Sequence, residues 1–507
     1  MSIEQIEKEL AGILQILIDK ESVIKSKVFH VHKDYSLSAK NLYRYLILRS
    51  FDLRAYHETL SDIGVSSLRT AEGYVFSNLY NVVRNLNLIQ GKAFQPKSGV
   101  KIIGYHNSRE LLKSHTNNLF NESQKIHDTK IMVTLPDEAA EDKQLVLDMA
   151  LQGMEIARIN LSHGNLEMWQ KMVTMLHKVQ KETGRNIKIY MDLSGPKIRT
   201  AGIEIPKKNG KMKRSIAIKV GDHIILTKKK TTGKKSKFDK HNRQTQLAEV
   251  GVLLPEIIDA VQIGDSVLFD DGMISARVLS KKEKSAELEI TECHKAKIGS
   301  EKGINLPNTV LHLPALTKSD LENLPFVCKH ADIVGYSFVR SGTDVRKLYT
   351  ELAKNNAGNL GVVFKIENRE AFENLPEILL EGMKRNKIGV MIARGDLAVE
   401  IGFERISEVQ EEILWLCEAA HIPVIWATQV LDNLAKTGIP TRSEISDAAH
   451  GAQAECVMLN KGPYIIDAIK VLKNVLKRME AHSAKKKNEL RALNVTRKYV
   501  SELLITD

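Results

Sequence analysis

Glu367 and Asp396 each follow a short apolar, strand-like run. Two carboxylates on adjacent strands are what a hard divalent cation such as Mg²⁺ or Mn²⁺ takes from a protein when substrate and water supply its other oxygens. Lys365 lies two residues before Glu367 and therefore faces the same way on a strand. An ammonium there can stabilise negative charge that develops on a substrate. A purely structural salt bridge is the plainer alternative for the same carboxylates. Similar polar clusters recur along the chain, as Arg158-Ile159-Asn160-Leu161-Ser162-His163-Gly164, Asp192-Leu193-Ser194-Gly195-Pro196-Lys197-Ile198-Arg199, Ala393-Arg394-Gly395-Asp396-Leu397 and Ala427-Thr428-Gln429. Each closes a strand-like run at its C-terminal end. Together with Lys365-Ile366-Glu367-Asn368 they argue for one shared site.

The elements that must carry these clusters alternate between β-rich and amphipathic helical stretches from Lys130 onward, the pattern of repeated βα units. Eight strands are predicted, at Lys130 to Leu135, Ile156 to Leu161, Ile187 to Asp192, Ile333 to Val339, Gly361 to Glu367, Ile388 to Ala393, Pro423 to Thr428 and Glu455 to Asn460. Eight such units make an α/β fold of the TIM (β/α)₈ barrel type, with reactive groups at the C-terminal strand ends. Residues 200–300 interrupt the alternation after strand three. Strand-like segments there (Ser215 to Val220, His223 to Leu226, Ser266 to Phe269, Ala286 to Ile290) predict a small inserted β domain, a β-barrel lid. The expected organisation is a helical extension over 1–125, barrel segments over 126–199 and 301–465 around the insert, and a helical tail over 466–507. The extension shows helical spacing in Ile6, Leu10, Ile13, Leu14 and Leu17, and again around Leu42, Leu46 and Leu48.

The chain has 507 residues and a net charge of +12. That charge is local. Lys207 to Arg243 holds fourteen Lys or Arg against Asp222 and Asp239, a surplus equal to that of the whole chain. A solvated loop accounts for such a run, and with Phe238 as its lone aromatic it is poorly equipped to stack bases, so nucleic acid is not the expected partner. No apolar run of 18 residues or more is present and the first ten residues are acidic, which reads as a cytoplasmic protein with no membrane partner. Cys293, Cys328, Cys417 and Cys456 are widely spaced and form neither a disulfide framework nor a zinc site.

The ordered strings Lys365-Ile366-Glu367-Asn368, Ala393-Arg394-Gly395-Asp396-Leu397 and Ala427-Thr428-Gln429, with Gly303-Ile304-Asn305-Leu306-Pro307 and Asp270-Asp271-Gly272, resemble the pyruvate kinase family over about Lys130 to Asn460. The resemblance implies a glycolytic phosphotransferase that converts phosphoenolpyruvate and ADP to pyruvate and ATP. It places Mg²⁺ or Mn²⁺ on Glu367 and Asp396 and phosphoenolpyruvate against Lys365, Gly395, Asp396 and Thr428. Arg158 becomes a phosphate ligand, a role that suits its rigid fork of donors. Thr428 stands near the enolate carbon, where protonation comes through a water. Asn160, His163 and Arg199 contact the nucleotide. A family K⁺ site corresponds to Asn160, Ser162, Asp192 and the carbonyl of Leu193. Where that family usually has glutamate this chain has Lys197, whose ammonium can stand in for the monovalent cation, so K⁺ is not expected to be required.

Three departures from the family pattern bear on these expectations. A lid lysine that contacts the nucleotide in some members aligns with Pro255. Asn460-Lys461-Gly462-Pro463 replaces Ser-Gly-Glu-Thr after strand eight, and the usual C-terminal domain with its effector site is not expected. The N-terminal extension is foreign to most members, and either covers surface that such a domain would cover or mediates assembly into a homo-oligomer. The competing readings are a pyruvate kinase-like scaffold without turnover, a metal-dependent barrel lyase or aldolase acting on pyruvate or a related 2-oxo acid, and a nucleic-acid-binding module.

Overall fold

The computed structural model describes residues 1–94, 102–122, 129–206, 211–241, 243–309, 311, 313–480, 483–484 and 487–488. Eight parallel strands close into a barrel: β1 (Lys130–Thr134), β2 (Ile156–Asn160), β3 (Lys188–Asp192), β4 (Ile333–Tyr336), β5 (Gly361–Ile366), β6 (Ile388–Ala393), β7 (Val424–Ala427) and β8 (Cys456–Leu459). Each pairs in register with its neighbour, and β8 returns to β1 through Ile131 opposite Val457. The strands are apolar on both faces because helices cover the outside while side chains fill the inside. The predicted strands agree with these to within one or two residues at each end, except β4. That strand stops at Tyr336 because Phe338 turns the chain with φ of 54°.

The insert between β3 and β4 has its own core around Leu226, Val250, Phe269 and Leu288. Its six-stranded sheet runs in the order Ala248–Gly251, His223–Thr227, Ser285–Cys293, Ile274–Lys282, Ser266–Phe269, Ile304–Asn305, with two-stranded ribbons beside it. Among the described residues the two outer strands do not pair with each other. Sheet and ribbons together make up the small β domain predicted between strands three and four. The strand predicted over Ser215 to Val220 is confined to Ser215–Ala217.

The tail begins as predicted. A helix runs over Ile465–Glu480, but the chain then forms paired two-residue strands at Ser483–Ala484 and Lys487–Asn488, and most of the predicted helical tail beyond lies outside the described residues.

The described residues before β1 form mainly helices, the longer ones being α1 (Ile3–Asp19), α2 (Ser36–Arg49), α3 (Val75–Ile89) and α4 (Tyr105–Leu119). Ile6, Leu10, Ile13, Leu14 and Leu17 of α1 are all buried, as their spacing requires. Their core is continuous with that of the barrel helices. Polar contacts secure the junction: Asn41 donates to the Ala419 carbonyl at 2.9 Å, the His32 backbone N–H to the Met383 carbonyl at 2.8 Å, and Asn118 to the Asn386 carbonyl at 2.9 Å.

At the end of α4, Leu119 and Phe120 enter the barrel itself, in one cluster with Met132, Ile156, Val363 and Met391. They enter at the N-terminal ends of the strands. A Cβ at Gly361, the first residue of β5, would lie 2.7 Å from Leu119, and one at Gly389, the second of β6, 2.6 Å. Both glycines make room for this plug. We expect Gly389→Ala to cost about 1–3 kcal/mol of unfolding free energy by overpacking. Combined with Leu119→Ala, it should cost less than the sum of the two single changes, as measured by urea denaturation. Additive losses would mean that Leu119 is not what the glycine accommodates.

Candidate active site

At the opposite end of the barrel the five sequence clusters meet. A cavity of about 250 Å³ is lined by Arg158, Asn160, Ser162, His163, Lys197, Arg199, Lys365, Glu367, Gly395, Asp396 and Thr428, so eleven of the sequence-predicted residues share one wall-to-wall space. Asp192 and Leu193 lie just behind it and are buried.

Lys365 is the centre of the charge arrangement. Its Nζ lies 2.8 Å from Ser337 Oγ, 3.1 Å from Glu367 Oε1 and 3.6 Å from Asp192 Oδ1. Burial disfavours the ammonium, but Asp192 and Glu367 outweigh burial and hold its pKa above the ordinary lysine value. It is a fixed cation. Arg158 is held by Asp192, whose Oδ2 accepts from Nε at 2.6 Å, and by Thr134 Oγ1 at 2.9 Å. Burial raises the Asp192 pKa, yet Arg158 and Lys365 together bring it below the usual carboxylate value.

Glu367 accepts the Phe338 backbone N–H at 2.7 Å. Burial pushes its pKa up, Lys365 opposes that, and the charge on Asp396 raises it further. Two carboxylates that repel one another in a half-closed cavity are a donor set that a divalent cation would relieve. Among the described residues no group of three or more His, Cys, Asp or Glu could hold a metal. Two carboxylates alone suit a cation that would draw its other oxygens from substrate and water.

Asp396 belongs to a short helix, Arg394–Ile401, that starts directly at the end of β6. A Cβ on Gly395 would lie 2.8 Å from the Thr428 methyl, so the glycine lets Thr428 pack against this helix start. Thr428 has φ of +74°, a costly conformation for a β-branched residue. Arg394 holds it there by donating to the carbonyls of Ala427 at 2.9 Å and Thr428 at 2.7 Å. The guanidinium also lies over the Trp426 ring and is paired with Asp447.

Lys197 reaches across the mouth and places Nζ 3.0 Å from both oxygens of Asp396. The Asn160 side chain accepts the Ser162 backbone N–H instead, at 3.1 Å. Arg199 donates to the Glu301 carbonyl of the insert at 3.1 Å. Burial lowers the His163 pKa, as do the nearby charges of Lys461 and Arg199. Pro255 precedes a short insert helix, Glu256–Ala260, and is not among the residues lining the cavity. The Asp270-Asp271-Gly272 turn has three consecutive positive φ angles, and Lys302 pairs with Asp270 at 3.3 Å. The basic run is partly neutralised by acids outside it, Lys228 by Asp259 and Lys229 and Lys234 by Glu249.

A second cavity of about 280 Å³ adjoins the first through Arg158, Asn160, His163 and Asn460, and extends past Met168, Trp169, Asp432 and Lys461. Sequence reasoning did not single out most of this lining. It also missed Ser337, Phe338 and Thr134, and Asp320, whose carboxylate accepts the Ser194 backbone N–H at 2.8 Å and so sets the turn that carries Lys197. Ser337 and Phe338 fall inside the strand predicted over Ile333 to Val339, so their place at the end of β4 could not be read from the sequence.

The architecture is a TIM barrel with an anion-receptive, two-carboxylate site at the C-terminal face of its strands. The pyruvate kinase barrel-domain model matches residues 126–469, and the chain belongs to the pyruvate kinase family. Relatives include the pyruvate kinase of Geobacillus stearothermophilus, 32% identical over 359 residues that make up 69% of this chain and 57% of that protein. The pyruvate kinase of Sporosarcina psychrophila is 31% identical over 360 residues, 70% of this chain and 57% of the relative. The chain thus spans somewhat more than half the length of the curated relatives it matches. Among the described residues no helix is long and apolar enough to cross a membrane.

Proposed function

We propose that the protein transfers a phosphoryl group from phosphoenolpyruvate to ADP, giving pyruvate and ATP. The observation that carries this reading is the pair of adjoining cavities that meet at Arg158, Asn160 and His163, one holding Lys365 and the two carboxylates, the other open enough for a nucleoside. Glu367 and Asp396 would hold Mg²⁺ or Mn²⁺, which when bound supplies positive charge to the substrate's carboxylate and phosphate oxygens. Lys365 and Arg158 face the phosphoryl group and balance the charge spread over its oxygens as the bond to the enol oxygen breaks and the bond to the ADP β-phosphate forms. Thr428 orders the water that returns a proton to the enolate carbon. His163 and Arg199 line the path of the nucleotide phosphates. In this reading Lys197 replaces the monovalent cation, and the Asn160, Ser162, Asp192 and Leu193 positions need not hold K⁺.

A coupled assay of pyruvate formation with Mg²⁺, in sodium-only and potassium-containing buffers side by side, tests both parts. Equal activity is expected. Activity only with K⁺ would keep the phosphotransferase and reject the role of Lys197, whereas none in either buffer would favour a lyase or an inactive scaffold.

A further inference from the structure

Each carboxylate at the cavity already has a cation on it. Glu367 and Asp192 share Lys365, Asp192 also has Arg158, and Asp396 has Lys197. The first two cations are fixed. Lys365 and Arg158 are buried, sit on strands, and are also held by the neutral hydroxyls of Ser337 and Thr134. Lys197 differs in every respect. It rises from the loop after β3, its side chain is 27% exposed, and both hydrogen bonds of its ammonium go to Asp396. Its stem runs beside Gly303 of the insert.

We propose that Lys197 is a tethered cation that occupies the metal ligand Asp396 and yields it only when a divalent cation arrives together with an anionic substrate. The inference rests on the reading of Glu367 and Asp396 as metal ligands. A divalent ion that binds alone must break a bidentate ion pair and then sits against the ammonium it has displaced, a like-charge contact. When a chelating anion comes with it, the freed ammonium gains a new partner. Metal and anion therefore assist one another's binding, and by linkage the assistance is mutual. The ammonium has two positions, on Asp396 before loading and toward the bound anion afterwards.

The test is direct binding of Mn²⁺, followed by the electron paramagnetic resonance signal of the free ion, with and without oxalate as a small chelating dianion. Lys197→Met is expected to bind Mn²⁺ alone about tenfold more tightly than the unmodified protein, the equivalent of one bidentate ion pair. The enhancement of Mn²⁺ binding by oxalate should shrink in the same variant. Lys302→Met, which removes an ammonium from Asp270 rather than Asp396 and lines neither cavity, should leave Mn²⁺ affinity unchanged. Equal or weaker Mn²⁺ binding by Lys197→Met overturns the proposal, as does equal tightening by Lys302→Met. Lys197→Gln serves where a thermal melt shows the methionine variant to be unfolded. Asp396→Asn separates the two levels: if it leaves Mn²⁺ binding intact, the metal reading itself fails and the inference falls with it.

Discussion

If the protein works as proposed, Lys365→Met is expected to lower turnover of phosphoenolpyruvate by about three to four orders of magnitude, in the range seen when one cation is removed from a phosphoryl-transfer site. The lysine is buried, its charge is secured by Asp192 and Glu367, and its position is set by the Ser337 hydroxyl. Such a group costs no reorganisation when charge develops on the phosphoryl oxygens, and water cannot replace it. Methionine fills nearly the same volume, so the cavity should survive. The charge balance changes more. Asp192 keeps Arg158, but Glu367 loses its one opposing cation, and burial together with Asp396 already pushes its pKa upward. The variant should therefore carry a protonated Glu367 over a wider pH range and lose about 3 kcal/mol of stability, as expected for breaking a buried pair. A single-turnover measurement beside a urea titration checks both effects. Turnover within tenfold of the unmodified protein would remove Lys365 from the chemistry.

The barrel was legible because its strands are buried on both faces, and runs such as Ile388 to Ala393 or Val424 to Ala427 need no partner to be recognised. The polar residues following them were legible for the same reason: they interrupt an otherwise apolar pattern. Ser337 and Phe338 were not, since neither carries charge and the positive φ of Phe338 leaves no mark on its residue type. The Lys197–Asp396 pair joins positions 199 apart, and nothing local to either residue announces the other. The insert was read only in part. Its small sheet has edge strands of two to four residues, too short for alternation to show, and the long hairpin strand Ile274–Lys282 ends in charged residues that mask its pattern. In the extension, α1 could be read from its apolar stripe, whereas the plug formed by Leu119 and Phe120 depends on tertiary contact alone.

Removal of residues 1–122 should abolish the folded barrel. The helices of this region share one core with the barrel helices, so their loss uncovers apolar surface on the helix Ile406–Ala419, which packs against α2 and carries the buried Val409 and Ile413. Leu119 and Phe120 also leave the barrel floor, and each emptied site of that size costs about 2–5 kcal/mol. Polar groups suffer as well. The buried ring of His421 is held by Ser38, Ser108 and the Gly73 carbonyl, while its own carbonyl pairs with His115 at 2.7 Å. Without the extension that ring and the carbonyls of Ala419 and Met383 lose these contacts at once. Set against the roughly 5–15 kcal/mol by which native domains are stable, these losses exceed what remains. The shortened protein is expected to be insoluble, or to retain helical circular dichroism while binding a hydrophobic dye and melting without a cooperative transition. A soluble product that melts sharply within a few degrees of the full chain would show that the barrel closes its own floor, and that the helices serve some purpose other than holding it together.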